Sequence, residues 1–166
     1  MHIQTSQQHT TELAEQLGML LLERHLSISC AESCTGGGIA YAITSVAGSS
    51  AWFNQSWVTY SNLAKQQQLA VCQQRLDRYG AVSEQIAMAM LEGVLSLSKA
   101  DIGISVTGIA GPTGGAPDKP VGLVWFGFSV NGEQAIISQQ FYGNRSQIRQ
   151  QAIDFALAFL IERLVE

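Results

Sequence analysis

The order of elements along this 166-residue chain predicts an α/β fold, a three-layer α/β/α sandwich around a mixed, mainly parallel central sheet of about five strands. Three observations predict it. Short apolar strands alternate with amphipathic helices over roughly the first two-thirds of the sequence, two strands then flank Asn131-Gly132, and a long amphipathic helix ends the chain. Alternation requires crossover connections and so parallel pairing near the centre, whereas a two-residue turn forces antiparallel pairing towards one edge.

The elements follow in order. Thr10 and Thr11 suit the cap of a first helix, on which Leu13, Leu17, Leu20 and Leu21 recur at helical spacing. A short strand over 26–32 ends at Ser33-Cys34-Thr35, and Gly36, Gly37 and Gly38 turn the chain into a second helix that runs to about Gly48. Trp57 to Tyr60 read as a strand, followed by a short helical segment from Asn62 that carries Lys65. Ser83 caps a helix with Ala87, Met90, Leu91 and Val94 on one face, and a strand over 102–107 follows. An irregular loop from Gly108 to Gly122 holds all three prolines of the chain. Strands at 123–130 and 135–142 form the hairpin, and Ile148, Ala152, Phe155, Ala156 and Phe159 make the stripe of the last helix. No repeat or linker divides the sequence, so residues 1–166 are expected to form a single domain.

Composition narrows the function. A 46% hydrophobic content suits a packed core, while only 13% charged residues leaves much of the surface neutral. That shortage suggests a homo-oligomer, with a dimer favoured. A net charge of −4 and nine scattered basic residues argue against nucleic acid, because a phosphate footprint needs clustered Lys and Arg. No membrane-spanning run or secretory leader is visible, and three cysteines without a CxxC pair suggest neither disulfides nor zinc. These features read as a cytoplasmic protein with reduced thiols, with neither metal nor cofactor expected.

Chemistry concentrates at residues 29–38, where a strand ends in hydroxyl and thiol groups and turns into a helix N-terminus, whose partial positive charge favours anions. Neither GxxxxGK[ST] nor GxGxxG occurs, so the glycines support no familiar nucleotide loop, and they equally suit close helix packing. His2 and His9 lie near the N-terminus and His25 ends the first helix, so histidine catalysis has no evident site. Ser33 then needs another base. A lysine can serve once burial without a carboxylate partner lowers its value by roughly three units from about 10.4. Lys65 sits between apolar and hydroxyl-bearing residues and is the candidate. Cys34 is a rival nucleophile beside the same helix terminus, and Cys30 and Cys72 read as small core residues.

Several blocks together resemble the CinA C-terminal-domain family. They are Ala31-Glu32-Ser33-Cys34-Thr35-Gly36-Gly37, Gly48-Ser49-Ser50-Ala51-Trp52-Phe53, Val58-Thr59-Tyr60-Ser61-Asn62 with Lys65, Gly80-Ala81-Val82-Ser83, Thr107 to Pro112, and Lys119-Pro120-Val121-Gly122. The chain opens on the helix before the Ser33 strand, so the resemblance implies the stand-alone, nicotinamide-nucleotide amidase form of the family. It also implies hydrolysis of nicotinamide mononucleotide to nicotinate mononucleotide and ammonia, a step of pyridine-nucleotide recycling, by a Ser/Lys dyad that forms an acyl-enzyme without a metal. Ser33 is then the nucleophile, Lys65 the general base, and Tyr60 a hydroxyl close to both. Gly38 stands where relatives often place a bulky residue.

On that basis, backbone N–H groups near Thr35, Gly36 and Gly37, or around Thr107-Gly108-Ile109, are expected to hold the oxyanion. Asn62 fixes the local turn, Ser105 and Thr107 line the pocket, Arg145 meets the substrate phosphate, and the 108–122 loop forms a rim or lid. A pyridine-nucleotide sensor or partner-docking module is the other reading. The glycine turn and Arg145 suit it equally, but it has no need of an unprotonated Lys65.

Overall fold

A computed structural model describes residues 6–166. Helix α1 spans Ser6–Arg24, strand β1 Ile28–Glu32 and helix α2 Gly38–Thr44. After a 3-10 turn at Ser49–Ala51 come β2 (Phe53–Val58), α3 (Asn62–Leu69), α4 (Gln73–Tyr79) and α5 (Glu84–Ser98). The remainder comprises β3 (Ile102–Gly108), β4 (Leu123–Val130), β5 (Glu133–Gln140) and α6 (Arg145–Val165).

The five strands lie in the order β2-β1-β3-β4-β5. β1 is parallel to β2 and β3, and β4 is antiparallel to β3 and β5. Four strands therefore point one way and β4 alone opposes them. Because α2 connects β1 to β2 on one face while α3, α4 and α5 lead from β2 to β3 on the other, the connections diverge at the carboxyl ends of β1 and β3. An open α/β sheet leaves its crevice at such a switch point.

Alternation along the strands separates two cores. Cys30, Ile104, Val106, Phe126 and Phe128 face α1, α2 and α6, whereas Ala31 packs with Ile86, Met90 and Val94 of α5 and with Leu69 and Leu76. The α6 side is sealed by aromatic rings, with Phe128 stacked on Phe159 at 4.2 Å and Phe126 against Phe155 at 4.9 Å. On the α5 side small residues let the helix approach closely. A Cβ on Gly127 would lie 2.5 Å from Ser105 Oγ, itself bonded to Ala87 O.

Several boundaries differ from the sequence expectation. Thr10 lies inside α1, where its hydroxyl meets Ser6 O and Asp154 Oδ1 instead of capping the helix. α2 stops at Thr44 rather than near Gly48. β2 begins four residues earlier than Trp57, because Phe53 pairs with Ile28 across the sheet although Asn54, Gln55 and Ser56 carry little strand propensity. The hairpin turns at Asn131-Gly132, with its second strand at 133–140 instead of 135–142. Cys72 is exposed and caps α4, accepting from Arg75 N–H, so it is no core residue.

Candidate active site

Ser33 follows directly on β1, and its N–H donates to Val106 O, which carries the register of β1 and β3 one residue beyond the strand. Lys65 reaches it from the first turn of α3. Ser61 caps that helix by accepting from Ala64 N–H, which fixes where the turn starts. Lys65 Nζ donates to Ser33 Oγ at 3.0 Å, to Thr59 O at 3.0 Å and to Tyr60 O at 3.4 Å. The lysine is 1% exposed and, among the described residues, no carboxylate pairs with it. Burial lowers its pKa from 10.5 to about 8, against an opposing contribution from Cys34.

A cleft of about 280 Å³ opens over this pair, with Ser33, Cys34 and Lys65 inside, Thr107 and Gly108 from the end of β3, and Ala81 and Val82 from the turn before α5. Tyr60, Asn62, Gly111, Gly114 and Arg145 surround its mouth. Another hollow, of about 520 Å³, lies against α3, α4 and α5 but sets no buried base beside a nucleophile. The Asn144 capping box fixes the start of α6, making Arg145 its first residue. Arg145 donates to Gly111 O at 2.7 Å and to Tyr60 Oη at 2.9 Å, tying the rim loop to the far wall. Lys119 secures the same loop to Tyr79 O.

Some expected residues lie elsewhere. Thr35, Gly36 and Gly37 do not line the cleft. Gly36 N–H is taken by Ser33 O and Ile109 N–H by Leu123 O, which removes both as oxyanion donors. Ser105 is fully buried and serves α5 through Ala87 O. The Tyr60 hydroxyl turns to Arg145, and it is the Tyr60 carbonyl that meets Lys65 and Ser33. Cys34 lines the cleft, yet burial raises its thiol to about 12, so it stays protonated at neutral pH and is a poor rival nucleophile. His9 and His25 are exposed, and His2 lies outside the described residues. Among the described residues no group of three or more His, Cys, Asp or Glu is placed to hold a metal ion, and no helix is long and apolar enough to cross a membrane.

Sequence reasoning missed Glu32. Its carboxylate is fully buried and accepts from Ile39 N–H at 2.8 Å and Ala40 N–H at 3.0 Å. It therefore occupies the α2 terminus that looked open to an anion. The available signal was an acidic residue ending an apolar strand just before a glycine turn into a helix.

The CinA C-terminal domain profile matches residues 10–164. The nicotinamide-nucleotide amidohydrolase PncC of Enterobacter agglomerans is 48% identical over 162 residues, spanning 97% of this chain and 99% of that protein. PncC of Escherichia coli K12 is 45% identical over 156 residues, spanning 93% and 94%. Among solved structures, the competence/damage-inducible protein CihA of Agrobacterium tumefaciens superposes with a TM-score of 0.89 at 42% identity, covering 95% of this chain and 96% of that one. A CinA superfamily protein of Klebsiella pneumoniae gives 0.90 at 37%, covering 94% and 98%. With a profile match over nearly all its length and relatives close to half identical from end to end, the chain belongs to the CinA C-terminal-domain family.

Proposed function

We propose that this protein is an amidohydrolase that converts nicotinamide mononucleotide to nicotinate mononucleotide and ammonia through a Ser33–Lys65 dyad and an acyl-enzyme. The observation that carries this reading is the buried Lys65 amine, without a carboxylate partner, 3.0 Å from Ser33 Oγ in an open cleft. The relatives named nicotinamide-nucleotide amidohydrolase supply the substrate class. A module that only binds the nucleotide has no use for an amine so costly to bury.

Neutral Lys65 has two N–H groups and one lone pair. With its protons on the carbonyls of Thr59 and Tyr60, the lone pair is left for the Ser33 hydroxyl. At pH 7 a pKa of about 8 leaves roughly one molecule in ten in this form, against fewer than about one in a thousand for an ordinary lysine. Ser33 Oγ attacks the carboxamide carbon as its proton passes to Lys65, and Lys65 hands that proton to the departing ammonia. Water then enters, gives a proton to Lys65 and releases the acid. Cys34 N–H, next to the nucleophile and without a hydrogen bond to another of the described residues, is the donor assigned to the developing oxyanion. Arg145 keeps N–H groups beyond those used by Gly111 and Tyr60, and these meet the substrate phosphate.

Ser33→Ala is expected to fold normally and release no ammonia from nicotinamide mononucleotide, and Lys65→Arg to fail too, since a guanidinium keeps its proton. Ammonia release within tenfold of wild type by either variant sinks the dyad. Hydroxylamine added during turnover should divert the acyl group to a hydroxamate, and its complete absence would count against the covalent intermediate.

A further inference from the structure

The geometry points to Thr107 Oγ1 as the group that reads the leaving nitrogen: an oxygen offering only lone pairs, beside Ser33, that accepts an N–H of the substrate carboxamide and disfavours the carboxylate of the product. This inference rests on the Ser33–Lys65 reading above.

In the parallel β1–β3 ladder Ala31 lies opposite Ser105 and Glu32 opposite Val106. One further step, held by Ser33 N–H to Val106 O, sets Ser33 opposite Thr107. Register partners of parallel strands share a face, and neighbouring strands are about 4.8 Å apart. The two hydroxyl-bearing side chains are therefore neighbours, and both residues line the cleft. Thr107 is 1% exposed, and its one proton is committed, because Oγ1 donates to Ala81 O at 2.8 Å. That carbonyl is itself held in place. Ala81 lies in the turn before α5, where Ser83 Oγ donates to Gly80 O and accepts from Ile86 N–H. A hydroxyl has one proton and two lone pairs, so Thr107 can only accept from anything bound in the cleft.

An amide nitrogen carries donors, whereas a carboxylate carries acceptors. During acylation the C–N bond breaks as nitrogen takes its third proton from Lys65, and one of its N–H groups rests on Thr107. The water that replaces ammonia gives one O–H to the same oxygen and its other proton to Lys65 as its oxygen bonds the acyl carbon. The C–Oγ bond then breaks, and Ser33 recovers its proton from Lys65. The acid so formed passes its remaining proton to Lys65, neutral once more, and the product carboxylate then confronts the Thr107 lone pairs without a shared proton, which favours its departure.

Thr107→Val keeps shape and removes the acceptor. The test compares hydrolysis of nicotinamide mononucleotide with that of the methyl ester of nicotinate mononucleotide, whose leaving group has no N–H. Thr107→Val should lose at least tenfold more kcat/KM on the amide than on the ester. Nicotinate mononucleotide should inhibit it more strongly relative to the amide KM, and Thr107→Ser should restore amide preference. Equal losses on amide and ester, or an undiminished amide rate, overturn the inference. If the valine variant does not fold, Thr107→Ala carries the same comparison. Ser33→Ala separates the two claims. Hydrolysis surviving in it defeats the dyad, whereas a dead Ser33→Ala beside an unselective Thr107→Val defeats only the role of Thr107.

Discussion

Lys65 joins two opposed demands in one side chain. Burying its ammonium is unfavourable, and the shift from 10.5 to about 8 corresponds to about 3 kcal/mol against the charged form. The same penalty makes the amine available as a base. The free-enzyme kcat/KM for nicotinamide mononucleotide should therefore climb with pH through about 8 and level off above it, which a pH–rate profile would show. A profile already flat from pH 6 contradicts a lysine base. Stability should carry the complementary signature. Because the folded value lies below the unfolded one, the unfolded chain holds the extra proton between about 8 and 10.5, and wild-type stability from this group rises across that window. Lys65→Met should accordingly be more stable than wild type at pH 7, by on the order of 1–3 kcal/mol, with the advantage shrinking towards pH 10.5. Urea titrations at three pH values would reveal the trend, and a pH-independent difference contradicts it.

Among the elements, the junction of β1 with α2 is the most demanding. The chain must leave the sheet at Ser33, turn through Gly36 at φ 60° and Gly37 at φ 95°, and start a helix whose first N–H groups lie in the interior. Glu32 satisfies those groups from the far side of the strand, so the junction is fixed without help from any ligand. Glu32→Ala should orphan the buried Ile39 N–H, at about 1–3 kcal/mol, and leave the part-buried Ala40 N–H to water at less, lowering the urea midpoint. A loss below about 0.5 kcal/mol would show that water replaces the carboxylate freely. The helix positions themselves were largely legible, because apolar spacing marks α1, α5 and α6 directly. α4 was not: Gln73 to Tyr79 holds one buried apolar side chain, Leu76, and so shows no stripe.

At the scale of the whole molecule, the cleft and the aromatic core occupy opposite faces of the sheet. Phe128 is 1% exposed, on the α6 side, while Ser33 and Thr107 open on the α5 side at the strands' carboxyl ends. Phe128→Ala should therefore cost about 3–5 kcal/mol in thermal or urea unfolding, yet leave kcat/KM of the folded enzyme within a few fold. A large catalytic defect in a fully folded variant would show that the two faces are mechanically coupled. The sequence alone determined the α/β class, the hairpin at Asn131-Gly132 and the pairing of Ser33 with Lys65 as candidates, because periodicity, turn chemistry and residue type are local properties. Only the tertiary structure decided the partners: that Tyr60 presents its carbonyl to Ser33 and Lys65 and its hydroxyl to Arg145, that Glu32 fills the helix terminus, and that Ser105 bonds to α5 while Thr107 lines the cleft. Those outcomes depend on which groups from distant segments arrive within three ångströms of one another, and no spacing along the chain encodes that distance.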